Sequence, residues 1–239
     1  KAMEIKVYLA ERAQNVQMLA RGLLAEQAMD ALSRAYLQHR PGSAGYQRAD
    51  RQFRSRFSAY IDESALFYDV FLITPQGEII YTDKHEADFA TNLLDGPYRD
   101  SQLAKAFREA SLTFESSFSS FGSYAPSGAP AAFVAAPIIR NGVFRGVIAF
   151  QLSTENIYRV AMENSGLGTT GETLLARLTN SGEAEFAAPL RHDPHAAMQR
   201  KMEMKTSPVP IRNALLGRHG GGIETDYSGR QVVAAWRYL

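Results

Sequence analysis

Cysteine is absent from the 239 residues, and with it go disulfides, thiolate nucleophiles and thiolate metal sites. No excess of one charge exists either. Twenty-six Lys plus Arg against 25 Asp plus Glu leave a net charge of +1, so no positive field is available to release counterions from a phosphate backbone, and nucleic acid is excluded as an expected partner. Long apolar runs are missing too. The longest, Val143 to Leu152, contains Arg145 and falls short of the roughly 20 residues that cross a bilayer. The chain neither begins with Met nor carries a signal peptide; it starts in a helical pattern and stops in a strand pattern, and is read as an excised fragment. What is present is an ordinary globular balance, 45% hydrophobic against 21% charged residues, enough to bury a core.

From Lys1 to about Gln38, Ile5, Leu9, Val16, Leu19, Leu23, Met29 and Leu32 recur mostly at three- and four-residue steps, which predicts one amphipathic helix of roughly 50 Å. Such a rod lies along the globular body, or serves as a stalk or dimerisation helix. After the Arg40-Pro41-Gly42-Ser43 break, Phe53, Phe57, Tyr60 and Ile61 share the face of a second helix. Strands follow. Leu66 to Ile73 and Glu78 to Thr82 flank the turn Thr74-Pro75-Gln76-Gly77, a short helix spans Arg99 to Ala110, and strands are expected at Thr113–Phe121, Ala131–Ile138 and Val143–Leu152, the last two joined by Asn141-Gly142. A helix capped by Ser153 or Thr154 then runs to about Asn164. The same grammar restarts in shorter form: strands at Glu172–Leu178 and Glu183–Ala188, a helix at Pro208–Leu216, strands at Ile223–Tyr227 and Arg230–Tyr238, and no final strand.

The element order, with the stretches YDVFLITPQGEIIYT at 68–82, NLLDGPYRDSQLAKAFREA at 92–110, SYAPSGAPAAFVAAPI at 123–138, GLGTTGETLL at 166–175 and DYSGRQVVAAWRYL at 226–239, resembles the double Cache sensor domains, also called tandem PAS-like domains. These are extracytoplasmic regions of bacterial histidine kinases, chemoreceptors and nucleotide cyclases. The resemblance implies an α+β fold in which a long N-terminal helix precedes two PAS-like modules, each a mainly antiparallel sheet under helical and loop cover. It implies the division 1–64 for the two helices, 65–152 for a membrane-distal ligand-binding module, 153–165 for a linker helix and 166–239 for a membrane-proximal module. It further implies a periplasmic domain of an inner-membrane receptor, anchored through segments absent here, homodimeric through its first helix, and signalling to a cytoplasmic output module, a histidine kinase first among them. A spacer or dimerisation module without a ligand is the alternative. The best-known amino-acid pocket of these domains uses an Arg followed by a Trp-Tyr pair; this chain has Tyr98-Arg99-Asp100-Ser101 there, and its only Trp is Trp236.

Candidate binding residues follow from chemistry as well. Tyr98, Arg99, Asp100 and Ser101 gather a phenol, a guanidinium, a carboxylate and a hydroxyl at a helix start, where Arg99 could clamp a carboxylate or Ser101 could simply cap the helix. Tyr124 and Phe133 are aromatic walls beside Ala131, Ala132, Ala135 and Ala136, suited to a small organic ligand or to ordinary core. Asp69 interrupts an apolar strand and needs a partner, a ligand ammonium or a wet sheet face. The expected ligand is therefore a small organic molecule, anionic or aromatic, with no cofactor.

Other motifs carry less. His192, Asp193 and His195, with His219 further on, lack the spacing of a metal site. Gly166 to Gly171 matches GxGxxG, but a helix precedes it and a strand follows, the reverse of a dinucleotide-binding turn. No nucleophile elbow or HExxH helix occurs, and catalysis by the fragment is not expected.

Overall fold

The computed structural model describes residues 2–39, 41–64 and 66–238. The expected α+β class holds. Two compact units are present, one of residues 9–154 and one of residues 1–8 with 155–239.

The expected single rod is interrupted. α1 (Ala2–Ala20) and α2 (Leu23–Gln38) are separated at Arg21-Gly22, where Gly22 leaves helical geometry with ψ 154°. Glycine forfeits most backbone entropy in a helix, so the break falls there rather than at a neighbouring Leu or Ala. α3 (Ala44–Ser64) buries Phe53, Phe57 and Ile61, as their shared face predicts.

β1 (Phe67–Ile73) and β2 (Ile79–Thr82) form the expected hairpin, with Gly77 at φ +89° closing the turn through its N–H to Thr74 O at 2.9 Å. α4 (Gln102–Thr113) runs further than its apolar spacing suggests and ends on Phe114 in the left-handed region. The strand expected over 113–121 is consequently reduced to β3 (Ser117–Phe118), followed by the small hairpin β4 (Gly122–Tyr124) and β5 (Ala129–Ala131). β6 (Phe133–Arg140) and β7 (Val143–Leu152) meet at Asn141-Gly142, both at positive φ, the geometry that matches strand twist in a two-residue loop.

β1, β2, β3, β6 and β7 build one antiparallel sheet in the order β2-β1-β7-β6-β3. Because side chains alternate, one face carries Phe71, Ile73, Phe133, Ala135, Val147 and Ala149 against Leu103, Ala106, Phe107 and Ala110 of α4. The other face includes Phe150, whose ring meets Tyr60 of α3 at 5.7 Å and Phe67 at 4.6 Å. The sheet is thus buried on both sides, which explains the near-continuous apolar runs of β1 and β7. Between Ile138 and Ile139 the β6–β7 register slips at a bulge next to Gly146, which has φ +137°.

α5 (Thr154–Met162) leads into the second unit's strands β8 (Ala176–Leu178), β9 (Glu183–Phe186) and β10 (Lys201–Glu203), a sheet ordered β10-β9-β8. α6 (Val209–Leu215) packs on this sheet and on the separate pair β11 (Gly220–Thr225) and β12 (Gln231–Trp236). Its small core holds Ala184, Phe186, Leu190, Ala196 and Ile211. Among the described residues, β8 bonds along one edge only, to β9, and β12 along one edge only, to β11. Ile223 and Val233 stand opposite each other across the β11–β12 pair, and both are exposed.

Candidate functional site

The covered face of the five-stranded sheet carries its polar groups at one end. Asp69 precedes Phe71 and Ile73 on the same face of β1, the register sets it opposite Gln151 of β7, and Gln151 in turn stands opposite Phe133 of β6. The loop after β2 brings Asp88 and the β4–β5 hairpin brings Tyr124 and Ser127. Asp69 and Asp88 are fully buried, and Gln151 and Tyr124 nearly so.

Nearly all the donors here are already committed. Asp69 Oδ1 accepts from the backbone N–H groups of Val70, Asp83 and Lys84 at 2.7, 2.8 and 3.2 Å. Tyr124 donates its hydroxyl to Asp88 Oδ2 at 2.5 Å, and Gln151 donates Nε2 to Ser127 Oγ at 3.1 Å. The Ser127 hydroxyl lies 3.4 Å from Tyr124 O. Left without a hydrogen-bond partner among the described residues are Asp69 Oδ2, Asp88 Oδ1 and Gln151 Oε1, joined by Glu86 Oε2, whose other oxygen accepts from Tyr68 at 2.6 Å. Buried polar atoms are almost always paired, so four unpaired acceptors in one neighbourhood mark this corner of the fold.

Electrostatics agree with the geometry. Burial, with repulsion from Asp88 in support and against its three backbone donors, pushes the Asp69 carboxyl up to about 7. Burial also raises Asp88, opposed by the Tyr124 hydroxyl and reinforced by Glu86. Tyr124 is raised by burial and then by Asp88, Asp69 and Glu86. The Glu86 hydrogen bond, followed by burial, lifts Tyr68 to about 12. Asp69, Glu86 and Asp88 thus share one negative field. Among the described residues, none of the three forms an ion pair with Lys, Arg or His.

Rings form the apolar wall. Tyr124 meets Phe133 edge-on at 4.9 Å, Phe133 meets Phe71 edge-on at 6.0 Å, and Tyr98 lies 6.2 Å from Tyr124. Of the residues singled out from sequence, Asp69, Tyr98, Tyr124 and Phe133 come together here. Arg99 does not: its side chain is 61% exposed and lies 3.6 Å from the still more exposed Asp100. Ser101 caps α4, accepting from Ala104 N at 3.1 Å, so the hydroxyl serves the helix. Replacing Ser101 with Ala is expected to lower stability by about 1 kcal/mol. Arg99→Ala is expected to leave both the melting temperature and small-molecule affinity within error, since a surface ion pair contributes little; calorimetric melting and titration of the two variants check this.

Asp88, Gln151 and Glu86 escaped the sequence reading. Gln151 had the signal that exposed Asp69, a lone polar residue in an apolar strand. Asp88 had none, because its partner Tyr124 is 36 residues away. A surface cleft of about 440 Å³ is lined by Met29, Asp30, Arg34, Glu78, Phe144 and Arg145, but Arg34 and Arg145 on it are solvent-exposed, so it strips no water from their charges. His192 and His195 are exposed, and among the described residues no group of three His, Asp or Glu side chains is arranged to hold a metal. The Gly166–Gly171 loop is tied instead by Arg191, which donates Nη1 to Gly168 O and Gly171 O at 3.2 and 2.7 Å.

Among solved structures, the extracellular domain ascribed to a histidine kinase, mmHK1S-Z3, is similar to this chain over 97% of its length and 90% of that domain, with 12% identity and a TM-score of 0.51. The chain shares the fold of that extracellular domain. The GABA-bound ligand-binding domain of the Pseudomonas aeruginosa chemoreceptor PctC is 16% identical over 83% of this chain and 74% of that one, with a TM-score of 0.47. The sensor domain of the Vibrio cholerae histidine kinase DctB is 15% identical over 80% and 83%, with a TM-score of 0.44. No family model and no curated protein sequence matches the chain.

Proposed function

We propose that this chain is the ligand-sensing input of a bacterial transmembrane receptor, placed in the periplasm and acting by binding rather than turnover. The observation that carries the reading is the set of unpaired acceptors Asp69 Oδ2, Asp88 Oδ1 and Gln151 Oε1, buried beneath a cover of loop and hairpin on the sheet face that α4 also covers. Leaving such groups unsatisfied costs stability, and folds retain that cost where a function uses it. A small molecule joining Asp69 and Gln151 of the sheet to Asp88 and Tyr124 of the cover would favour the closed arrangement, by no more than its differential affinity for closed and open forms. A histidine kinase output suits the fold shared with mmHK1S-Z3.

The spacer reading has one observation in its favour. Met3, Val7 and Met18 are exposed on α1 at helical spacing, as a second copy of the helix would require. Both readings meet in one experiment, a thermal-shift screen of the purified domain against amines, amino acids, organic acids and sugars, with native mass spectrometry of the protein as recovered. A saturable rise in melting temperature confined to one chemical class is expected. A flat response across the screen together with an unliganded mass would replace the sensing reading with the spacer.

A further inference from the structure

With its carboxyls ionised, the hydrogen-bonding capacity left at the cluster is entirely that of an acceptor. The Tyr124 hydroxyl, the Gln151 Nε2 and the backbone N–H groups of Val70, Asp83 and Lys84 are each engaged, while Asp69 Oδ2, Asp88 Oδ1, Gln151 Oε1 and Glu86 Oε2 are unpaired. A molecule completing this set must bring N–H or O–H donors. It must also bring positive charge, because three carboxylates share one neighbourhood with no cationic side chain paired to them, and buried charge is costly unless compensated. An organic acid would add to the repulsion. An amino acid would satisfy the site with its ammonium and then find no free donor for its carboxylate, since the guanidinium expected for that task, Arg99, lies on the surface. A metal ion would need the carboxylates to converge, and among the described residues they do not. The remaining chemistry is that of an organic ammonium ion, whose apolar body would lie against Phe71, Tyr98, Tyr124 and Phe133, rings whose faces also attract cations.

We infer that the cluster of Asp69, Asp88, Glu86 and Gln151 recognises a small protonated amine that carries no carboxylate. This deepens, and rests on, the reading of the cluster as the ligand site. Titration calorimetry at pH 8 with phenethylamine, 1,4-diaminobutane, L-phenylalanine and phenylacetate tests it on the unmodified domain, so no variant has to fold. At least one of the two amines is expected to bind. L-phenylalanine, which is phenethylamine with a carboxylate added, is expected to bind at least ~30-fold more weakly than the better amine, and phenylacetate not at all. That factor is the low end of what uncovering one partner of a buried charge pair costs.

Asp88→Asn is expected to weaken the better amine by at least ~30-fold with its cooperative melt retained, and Glu86→Gln, whose side chain is less buried, is the second variant should Asp88→Asn fail to fold. Tighter binding of L-phenylalanine or phenylacetate than of either amine overturns the ammonium inference and leaves ligand sensing standing. Amine affinity unchanged in both variants overturns the cluster as the amine site. Silence toward all four compounds also overturns the ammonium inference, and the broader screen described above then decides separately whether the sensing reading falls with it.

Discussion

Asp69→Asn is expected to melt above the unmodified domain at pH 8, by on the order of 5–10 °C. Burial holds the folded-state carboxyl at about 7 against an ordinary value of 3.8. Between those two values the folded state keeps a proton that the unfolded chain releases, so stability is greatest below pH 4 as far as this group is concerned and is lost as pH rises through 7. Roughly three pH units at about 1.36 kcal/mol each put the loss near 4 kcal/mol. An Asn amide keeps an oxygen for the three backbone donors and replaces the unpaired Oδ2 with a donor, so it recovers much of that loss. The slope is expected to become shallower rather than vanish, because burial raises Asp88 too. Asp50 does not blur the window. Burial pushes it up, but hydrogen bonds with His85 and Arg54 hold it below its ordinary value, the opposite direction from Asp69. Melting curves from pH 4.5 to 8.5 decide the matter: an Asn variant less stable than the unmodified domain at pH 8 would mean the carboxylate is compensated.

The largest loss is expected from Gly146→Ala. Gly146 has φ +137°, outside the range of L side chains, and an added Cβ would stand 2.3 Å from Ile73 O and 2.8 Å from Met29 Cε. The strand β1 and the helix α2 both approach the β7 backbone there, at the bulge opposite Ile138. Backbone strain and overpacking together are expected to cost about 3 kcal/mol or more, lowering the melting temperature by roughly 6–12 °C. Gly142→Ala is the control. Gly142 also has positive φ, +74°, but nothing lies within 4 Å of its added Cβ, so about 1 kcal/mol is expected. Equal losses in the two variants would show that dihedral strain, rather than close approach, sets the requirement at 146.

Much of the first unit was legible because its signals are local. Asn141-Gly142 and Thr74-Gly77 specify their turns through residues that accept positive φ, and the apolar run Val143–Leu152 marks β7 end to end. Boundaries set by tertiary contacts were not. Nothing between Thr113 and Phe121 announces that α4 consumes the first residue and leaves only Ser117–Phe118 to pair, and β10 lies in a polar stretch because Met202 alone of its residues packs against the core. The same division runs through the site. Asp69 was visible as a charge inside an apolar strand, and Tyr124 and Phe133 as rings among alanines. Arg99 misled because a guanidinium at a helix start has the same spacing whether it faces a ligand or water; the hydroxyl two residues on had already satisfied the helix.

The raw margins of β8 and β12 bear on handling as much as on architecture. Each offers a row of backbone donors and acceptors to any extended peptide that comes alongside, and the Ile223–Val233 pair adds a greasy landing surface nearby. At high protein concentration, this half of the molecule is where self-association of the isolated domain would start, and dilute, charged-buffer conditions would suit its study best.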